Sequence, residues 1–159
     1  MVAYSFQKRF VGHITAGLEP GPWLPGMKRH TLRRPRADGR HARPEQPLQL
    51  YTAMRTKHCR KIGNAVARVQ LPVVLMLRGG RLMIARRAGP APRSHVAQLA
   101  PIVQEILGGL AGKIFDGEAM DEFARTDGFA DAAAMAAFFD PPERNANLDL
   151  VLIGWAPLP

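Results

Sequence analysis

Two apolar runs joined by a pair of glycines constrain the fold of this chain more than any other feature. The runs PVVLML (72–77) and LMIARR (82–87) flank a turn centred on Gly79-Gly80. Glycine accepts the positive φ angles that two-residue hairpin turns require, so this segment predicts a β-hairpin. A third run, LDLVLIGWA (148–156), is almost continuously apolar, which is typical of a strand buried on both faces. The sequence therefore predicts a β-sheet in which this strand is covered by other parts of the chain.

Other segments supply the remaining strands and the helices. Alternating residues predict strands over 48–54 and 62–71. Phe6, Phe10 and Ile14 recur at a spacing of four, which predicts a helix from Ser5 to Ala16. Further helices are predicted over 94–107 (kinked by Pro101), 118–125 and 132–139 (capped by Asp131).

These elements indicate one α+β domain over residues 1–159, with a small mixed sheet that is partly closed like a barrel and has flanking helices. The 47 % apolar content is sufficient for a core in a chain of this length. The Pro- and Gly-rich stretch 17–26 is predicted to be a loop held to the body by Trp23. The predicted core comprises Phe6, Phe10, Leu50, Val66, Val74, Leu75, Phe123, Phe138, Leu150 and Leu152.

Several classes of protein are disfavoured. No apolar run approaches the roughly 18 residues of a membrane span, and the first residues lack the apolar core of a secretory signal. A lone cysteine, Cys59, excludes an internal disulfide framework and is expected on a half-buried strand. We therefore expect a cytoplasmic protein without membrane contact. The five histidines and Cys59 show no metal-site spacing, so neither a metal nor a cofactor is predicted.

Positive charge is concentrated in the first half of the chain. Residues 1–70 hold 14 Lys and Arg against 3 Asp and Glu, whereas residues 71–159 hold 8 against 10. The densest stretch is MKRHTLRRPRADGRHARP (27–44). Such asymmetry favours a polyanionic partner such as nucleic acid, although a solvated basic face remains an alternative.

The basic stretch contains a pattern that resembles the ASCH family of the PUA-like superfamily. There, a first helix ending in Gly is followed by Lys-x-x-Thr-Ile/Leu-Arg and a turn into a strand. Here the counterparts are HITAG (13–17), Lys28, Thr31, Leu32 and Arg33, and the strand LQLYTAM (48–54). DEFARTDGFADAAAMAAFF (121–139) and LDLVLIGW (148–155) are similar to later family segments. Compared with that family, this chain has an inserted loop at 17–26 and a longer segment at 71–112.

The resemblance implies a cleft that binds RNA or a nucleoside or nucleotide derivative. Some small ASCH proteins are amidohydrolases acting on N4-acetylcytidine with a Lys, a Thr and an acid. Carried over, these positions are Lys28, Thr31 and Asp127, with Glu122 as the fallback acid. A Thr hydroxyl needs a base to become a nucleophile, and a Lys serves as that base only when its pKa falls toward neutrality.

Three functions follow as alternatives. The favoured one is RNA or nucleotide binding by a basic cleft around Lys28 to Arg43, and the others are hydrolysis of an acylated nucleoside and metal-independent RNA cleavage. For the binding function, the resemblance and the charge pattern predict phosphate contacts from Arg29, Arg33, Arg34, Arg36, Arg40, Arg43, Arg55, Lys57, Arg60 and Lys61. For RNA cleavage, Lys28 and Arg33 would stabilise a phosphorane.

Overall fold

The computed structural model describes residues 1–89, 96–139 and 143–159, and within them the chain is a mixed α+β structure. The strands are β1 (Val2–Phe6), β2 (His30–Arg33), β3 (Pro47–Thr52), β4 (Arg60–Arg78), β5 (Arg81–Arg86) and β6 (Ala146–Pro157). The α-helices are α1 (Val11–Gly17), α2 (Pro101–Gly108), α3 (Gly117–Thr126) and α4 (Ala132–Phe139), and short 3₁₀ turns occupy Lys8–Phe10 and Val96–Gln98.

The long strand β4 organises the sheet. Its first part pairs with β3, its last part pairs with β5 through the predicted hairpin, and its other side pairs with β6. The order is β1-β3-β4-β6-β2, with β5 attached to β4. β1 runs parallel to β3, and the remaining pairs are antiparallel. The predicted hairpin and the α+β class are therefore confirmed.

The two ends of the sheet, β1 and β2, are not joined by a backbone ladder in the described structure, so hydrogen bonding does not close the sheet. A side chain crosses from one edge to the other. Arg33 on β2 donates from Nη2 to the carbonyl of Ser5 on β1 at 2.8 Å. The gap between these two edges is where the candidate site lies.

Helices cover part of the sheet and complete the core. α3 and α4 contact each other and β5, while α1 contacts β4. Trp155, Phe123 and Ile106 are fully buried between these layers. The last strand is buried continuously from Leu150 to Pro157, as its apolar run predicts. Burial at such positions contributes about 1.5–3 kcal/mol for each large apolar side chain.

The predicted first helix is wrong over its N-terminal half. Ser5 and Phe6 belong to β1, and a helical turn begins only at Lys8. Phe6 and Phe10 are both buried, but they enter the core from different elements, so their spacing of four does not report a helix. The parallel partner of β1, beginning at Val2↔Leu48, is remote in sequence and gives no local signal.

The two strands predicted over 62–71 and 72–77 are one 19-residue strand, β4. Pro72 is paired with Val151 in the β6 ladder, but its backbone polar groups face β5, whose ladder stops at Val73↔Arg86. Its missing N–H therefore costs no ladder hydrogen bond. Its carbonyl still accepts a hydrogen bond from the Arg87 N–H at 3.0 Å.

Pro101 begins helix α2 and does not kink it, because a proline at the first helical position has no N–H to satisfy. The predicted cap at Ser94 lies outside the described residues. The helix over 118–125 is confirmed as α3. Asp131 caps α4 as predicted, since its Oδ1 accepts from the Ala134 N–H at 2.8 Å.

Most of the predicted core is buried, with three exceptions. Val66 and Val74 are half-buried, because the inward positions of β4 are their odd-numbered neighbours. Phe138 is 40 % exposed. Cys59 is exposed in the turn before β4 and not on a strand. Trp23 does hold its loop, donating from Nε1 to the Met27 carbonyl at 2.9 Å.

None of the helices in the described parts of the chain combines the length and the apolar character that crossing a membrane requires.

Candidate functional site

The loop after α1 brings the basic stretch back against that helix. The Lys28 N–H donates to the His13 carbonyl at 2.9 Å. Gly17 packs on the Lys28 backbone so closely that a Cβ there would lie 2.3 Å from the Lys28 carbonyl oxygen. The absence of a side chain at Gly17 is therefore what lets the chain pass and enter β2 with Lys28 directed inward.

Arg29 fixes the path of this loop. It is fully buried, and Nε donates to the Gly17 carbonyl at 2.8 Å. The two terminal nitrogens donate to the carbonyls of Gly21, Gln98 and Glu19 at 3.0, 3.0 and 2.7 Å. Because its hydrogen bonds go to the backbone, we remove Arg29 from the predicted phosphate contacts and assign it to loop structure.

Lys28 and Asp127 form a buried ion pair. Lys28 Nζ contacts Asp127 Oδ1 and also donates to the Asp127 carbonyl at 2.6 Å. Lys28 and Asp127 are 2 % and 3 % exposed. Asp127 directly follows α3, and its N–H still donates to the Phe123 carbonyl at 3.1 Å. The helix end thus positions both oxygen acceptors of the lysine.

Burial shifts both ionisable groups toward their neutral forms. Loss of hydration lowers the pKa of Lys28, with the attraction of Asp127 opposing the shift. Loss of hydration also raises the pKa of the Asp127 carboxyl, against the opposing charge of Lys28. His30 Nε2 lies 3.5 Å from Asp127 Oδ1, and burial with the nearby Lys28 holds the His30 pKa well below its ordinary value. His30 is therefore a neutral neighbour of the pair.

A pocket of about 220 Å³ opens beside the pair, in the gap between β1 and β2. Lys28, Thr31 and Asp127, the three predicted catalytic residues, all line it. Among the described residues, no hydrogen bond engages the Thr31 hydroxyl. Glu122, the fallback acid, is exposed on α3 and does not line the pocket. The geometry therefore favours Asp127 as the acid.

Arg33 lies at the edge of the same pocket. Its guanidinium carbon is 4.5 Å from the Phe6 ring centroid, and Nη2 is held by the Ser5 carbonyl. Nε is buried and has no hydrogen-bond partner in the part of the chain that is described. A buried donor without a partner is costly, so this N–H is available to an oxygen atom of a ligand.

Aromatic residues form a further part of the pocket wall, and sequence reasoning missed them as a group. Phe10, Phe129, Phe138 and Phe139 line the pocket. Arg9, also not predicted, places its guanidinium carbon 4.6, 4.7 and 5.2 Å from the ring centroids of Phe10, Phe129 and Phe138. The available signal was the group of phenylalanines after Asp127, of which only Phe138 was assigned from the sequence, to the core.

The remaining predicted phosphate contacts lie on two exposed segments outside the pocket. Arg34, Arg36, Arg40 and Arg43 are exposed on the segment from β2 to β3. That segment is fastened to β1, since the Ala42 N–H donates to the Tyr4 hydroxyl at 3.0 Å. Arg55, Lys57, Arg60 and Lys61 are exposed on the turn between β3 and β4 and at the start of β4.

In the described ranges, no three His, Cys, Asp or Glu side chains converge as metal ligands would.

No family model matches the chain, and neither do curated proteins or solved structures at a significant level.

Proposed function

We propose that this chain is a small hydrolase that removes an acyl group from the exocyclic amine of a nucleoside derivative, using Lys28, Thr31 and Asp127. The observation that carries the proposal is the convergence of these three residues on one pocket. Buried ionisable groups with shifted pKa values beside a cleft are characteristic of functional sites. N4-acetylcytidine represents this substrate class.

Each residue has a role that its surroundings support. Transfer of a proton from the Lys28 ammonium to Asp127 within the ion pair gives the neutral amine and the acid form. The amine takes the proton of the Thr31 hydroxyl, and Thr31 Oγ1 attacks the acyl carbon. The C–N bond of the tetrahedral intermediate then breaks, and Asp127 in its acid form protonates the leaving amine. A proton then moves from the Lys28 ammonium back to the Asp127 carboxylate that it contacts, which restores the amine. Lys28 takes a proton from the water that attacks the acyl-Thr31 ester and returns it to Thr31 Oγ1 as the ester C–O bond breaks and the carboxylic acid is released. The pKa directions of both groups favour the protonation states that this sequence needs.

The walls of the pocket supply binding and charge stabilisation. Phe129 and Phe138 offer aromatic faces on which a base stacks. The unpartnered Nε–H of Arg33 is a donor for the oxyanion of the intermediate. The volume of about 220 Å³ suits a nucleobase with its acyl group, since sites for drug-sized ligands span roughly 300–1,000 Å³.

The proposal includes the finer fold assignment. We interpret the sheet as a partly open barrel of the PUA-like or ASCH type, in which β1 and β2 face each other across the pocket. The Arg33 to Ser5 hydrogen bond across these edges supports this interpretation. The motif Lys28 to Arg33 leads into β2, and the chain then continues to β3, the strand that the resemblance places after the motif.

Hydrolysis of N4-acetylcytidine by the purified protein tests the proposal. Thr31→Val removes the hydroxyl while keeping the side-chain shape, and we expect it to lower turnover by about 100-fold or more. Thr15→Val, at an exposed position on α1, is the matched control and should retain wild-type turnover. Equal turnover in Thr31→Val and the wild type would exclude the assigned nucleophile.

RNA binding without chemistry is the second candidate. Arg34 and Arg43 favour it, because both are exposed and their side chains have no ion-pair partner in the described structure. Binding through such contacts weakens steeply as salt rises, by about 0.7–0.9 log units per contact for each tenfold salt increase. Arg34→Ala/Arg43→Ala should reduce that slope. A slope unchanged by this double substitution would count against this surface.

A further inference from the structure

Two larger cavities lie in series beside the Lys28 pocket and share lining residues with it or with each other. A cavity of about 390 Å³ shares Ser5, Phe6 and Gln7 with the pocket. A further cavity of about 490 Å³ shares Lys8, Thr52 and Ala53 with the second one. The three spaces therefore adjoin one another along the end of β1, and we call them together the β1 groove. It extends well beyond what a nucleobase fills.

The far end of the β1 groove is cationic. Lys8, His58 and Arg60 line the third cavity, and all three are exposed. Within the described chain, none of these side chains makes an ion pair or hydrogen bond. No Asp or Glu lines the second or third cavity. Three cationic or basic side chains without partners around one cavity are complementary to an anion.

The backbone of this end is fixed. The turn after β3 is closed by the Thr56 hydroxyl, which donates to the Ala53 carbonyl at 2.7 Å and accepts from the His58 N–H at 3.1 Å. Ser5 ties the turn to β1, because its hydroxyl accepts from the Met54 N–H at 3.1 Å. The carbonyl of Ser5 holds Arg33 of the first pocket. Ser5 therefore holds both ends of the β1 groove, because its hydroxyl binds the turn after β3 and its carbonyl binds Arg33.

We propose that the ligand of the Lys28 pocket is phosphorylated, with its base in that pocket and its phosphate in the cavity formed by Lys8, His58 and Arg60. The inference rests on the proposed function, since it assumes a nucleoside unit beside Thr31. It narrows the substrate class from a free nucleoside to a nucleoside carrying a phosphate. A mononucleotide and an RNA chain both supply that group.

Equilibrium binding tests the inference without requiring turnover. Calorimetry compares cytidine, cytidine 5′-monophosphate and a tetracytidylate on the wild-type protein. We expect the monophosphate to bind at least about tenfold more tightly than cytidine, since a charge-assisted hydrogen bond contributes about 1.5–3 kcal/mol. A further gain with the tetracytidylate identifies RNA as the source of the phosphate, whereas equal affinity identifies the mononucleotide.

Substitution locates the phosphate. Lys8→Ala/Arg60→Ala should abolish the preference for the monophosphate and leave cytidine affinity unchanged. Arg81→Ala/Lys113→Ala removes the same charge from exposed positions outside the groove and should keep the preference. Equal affinity for cytidine and its monophosphate, no measurable binding of either, or a preference that survives Lys8→Ala/Arg60→Ala would overturn the inference.

The binding experiment and the hydrolysis experiment can fail independently of each other. Hydrolysis of N4-acetylcytidine without any phosphate preference would leave the hydrolase proposal standing and remove the phosphate subsite. A phosphate preference that depends on Lys8 and Arg60, in a protein that hydrolyses no acyl amide, would retain the subsite and remove the chemistry.

Discussion

Replacing Lys28 with methionine removes the cation that contacts the buried Asp127 carboxyl. Both residues are nearly inaccessible, so water cannot take the place of the ammonium. Breaking a buried pair from one side costs about 3–5 kcal/mol, because a buried charge is left uncompensated. In a chain of 159 residues each kcal/mol lowers the Tm by about 2–4 °C, so we expect a loss of about 6–20 °C.

The sign of the pH dependence follows from Asp127. Burial raises the pKa of this carboxyl in the folded state, and in Lys28→Met the opposing charge of the lysine is gone. The folded variant then binds more protons than the unfolded chain once the pH exceeds the ordinary aspartate pKa of 3.8. Its stability therefore falls as the pH rises through that raised pKa, and the deficit against the wild type shrinks toward pH 4.

Urea denaturation at pH 4, 5.5 and 7 measures both the loss of stability in Lys28→Met and the dependence of that loss on pH. The matched control is Lys61→Met, an exposed lysine on β4 that should change the free energy of unfolding by less than about 0.5 kcal/mol. Lys28→Met/Asp127→Leu removes both charges and should regain much of the loss, which isolates the coupling between the pair. A deficit below about 1 kcal/mol at pH 7, or one that persists at pH 4, would refute the reasoning.

Three further substitutions test other features. Arg29→Gln should destabilise the fold by at least about 2 kcal/mol in urea, because the carbonyls of Gly17 and Glu19 lose their donor, while RNA affinity stays unchanged. Gly128→Ala should cost about 1–3 kcal/mol in the same assay, since its φ is +96° and a Cβ would lie 2.8 Å from Phe10. Phe138→Ala should weaken cytidine binding about tenfold by calorimetry with little loss of stability, because a stacking face is lost from a half-exposed position.

Local periodicity determined which parts of the fold could be predicted. The β4–β5 hairpin and the buried strand β6 show their structure in consecutive residues, through a Gly-Gly turn and an unbroken apolar run. The strand β1 could not be predicted from its own five residues. It is a strand because it pairs with β3, which lies far along the chain. The continuity of β4 through Pro72 likewise depends on where the neighbouring ladder stops.

The sequence predicted the polar residues of the candidate site but not the aromatic residues that line its pocket. Lys28, Thr31 and Asp127 were predicted from the resemblance of their segments to the ASCH motif, and the structure brings them to one pocket. Phenylalanine occurs in cores and in binding pockets alike, so the sequence does not separate the two roles of Phe138. The sequence does not distinguish Arg29 from the exposed arginines that follow it. Only the structure shows that Arg29 is buried and that its side chain donates hydrogen bonds to backbone carbonyls.

The way Arg29 holds the loop after α1 has a consequence for how this chain can change over time. Its guanidinium recognises the carbonyls of Gly17, Glu19 and Gly21, and every amino acid presents the same carbonyl. Side chains at the exposed positions 19 and 20 can therefore diverge while the path of the loop is retained, whereas the φ of +110° at Gly21 favours glycine. Variation in a library of sequences should accordingly be broad at Glu19 and Pro20 and nearly absent at Arg29, which makes this loop suited to accept new surface residues beside the site.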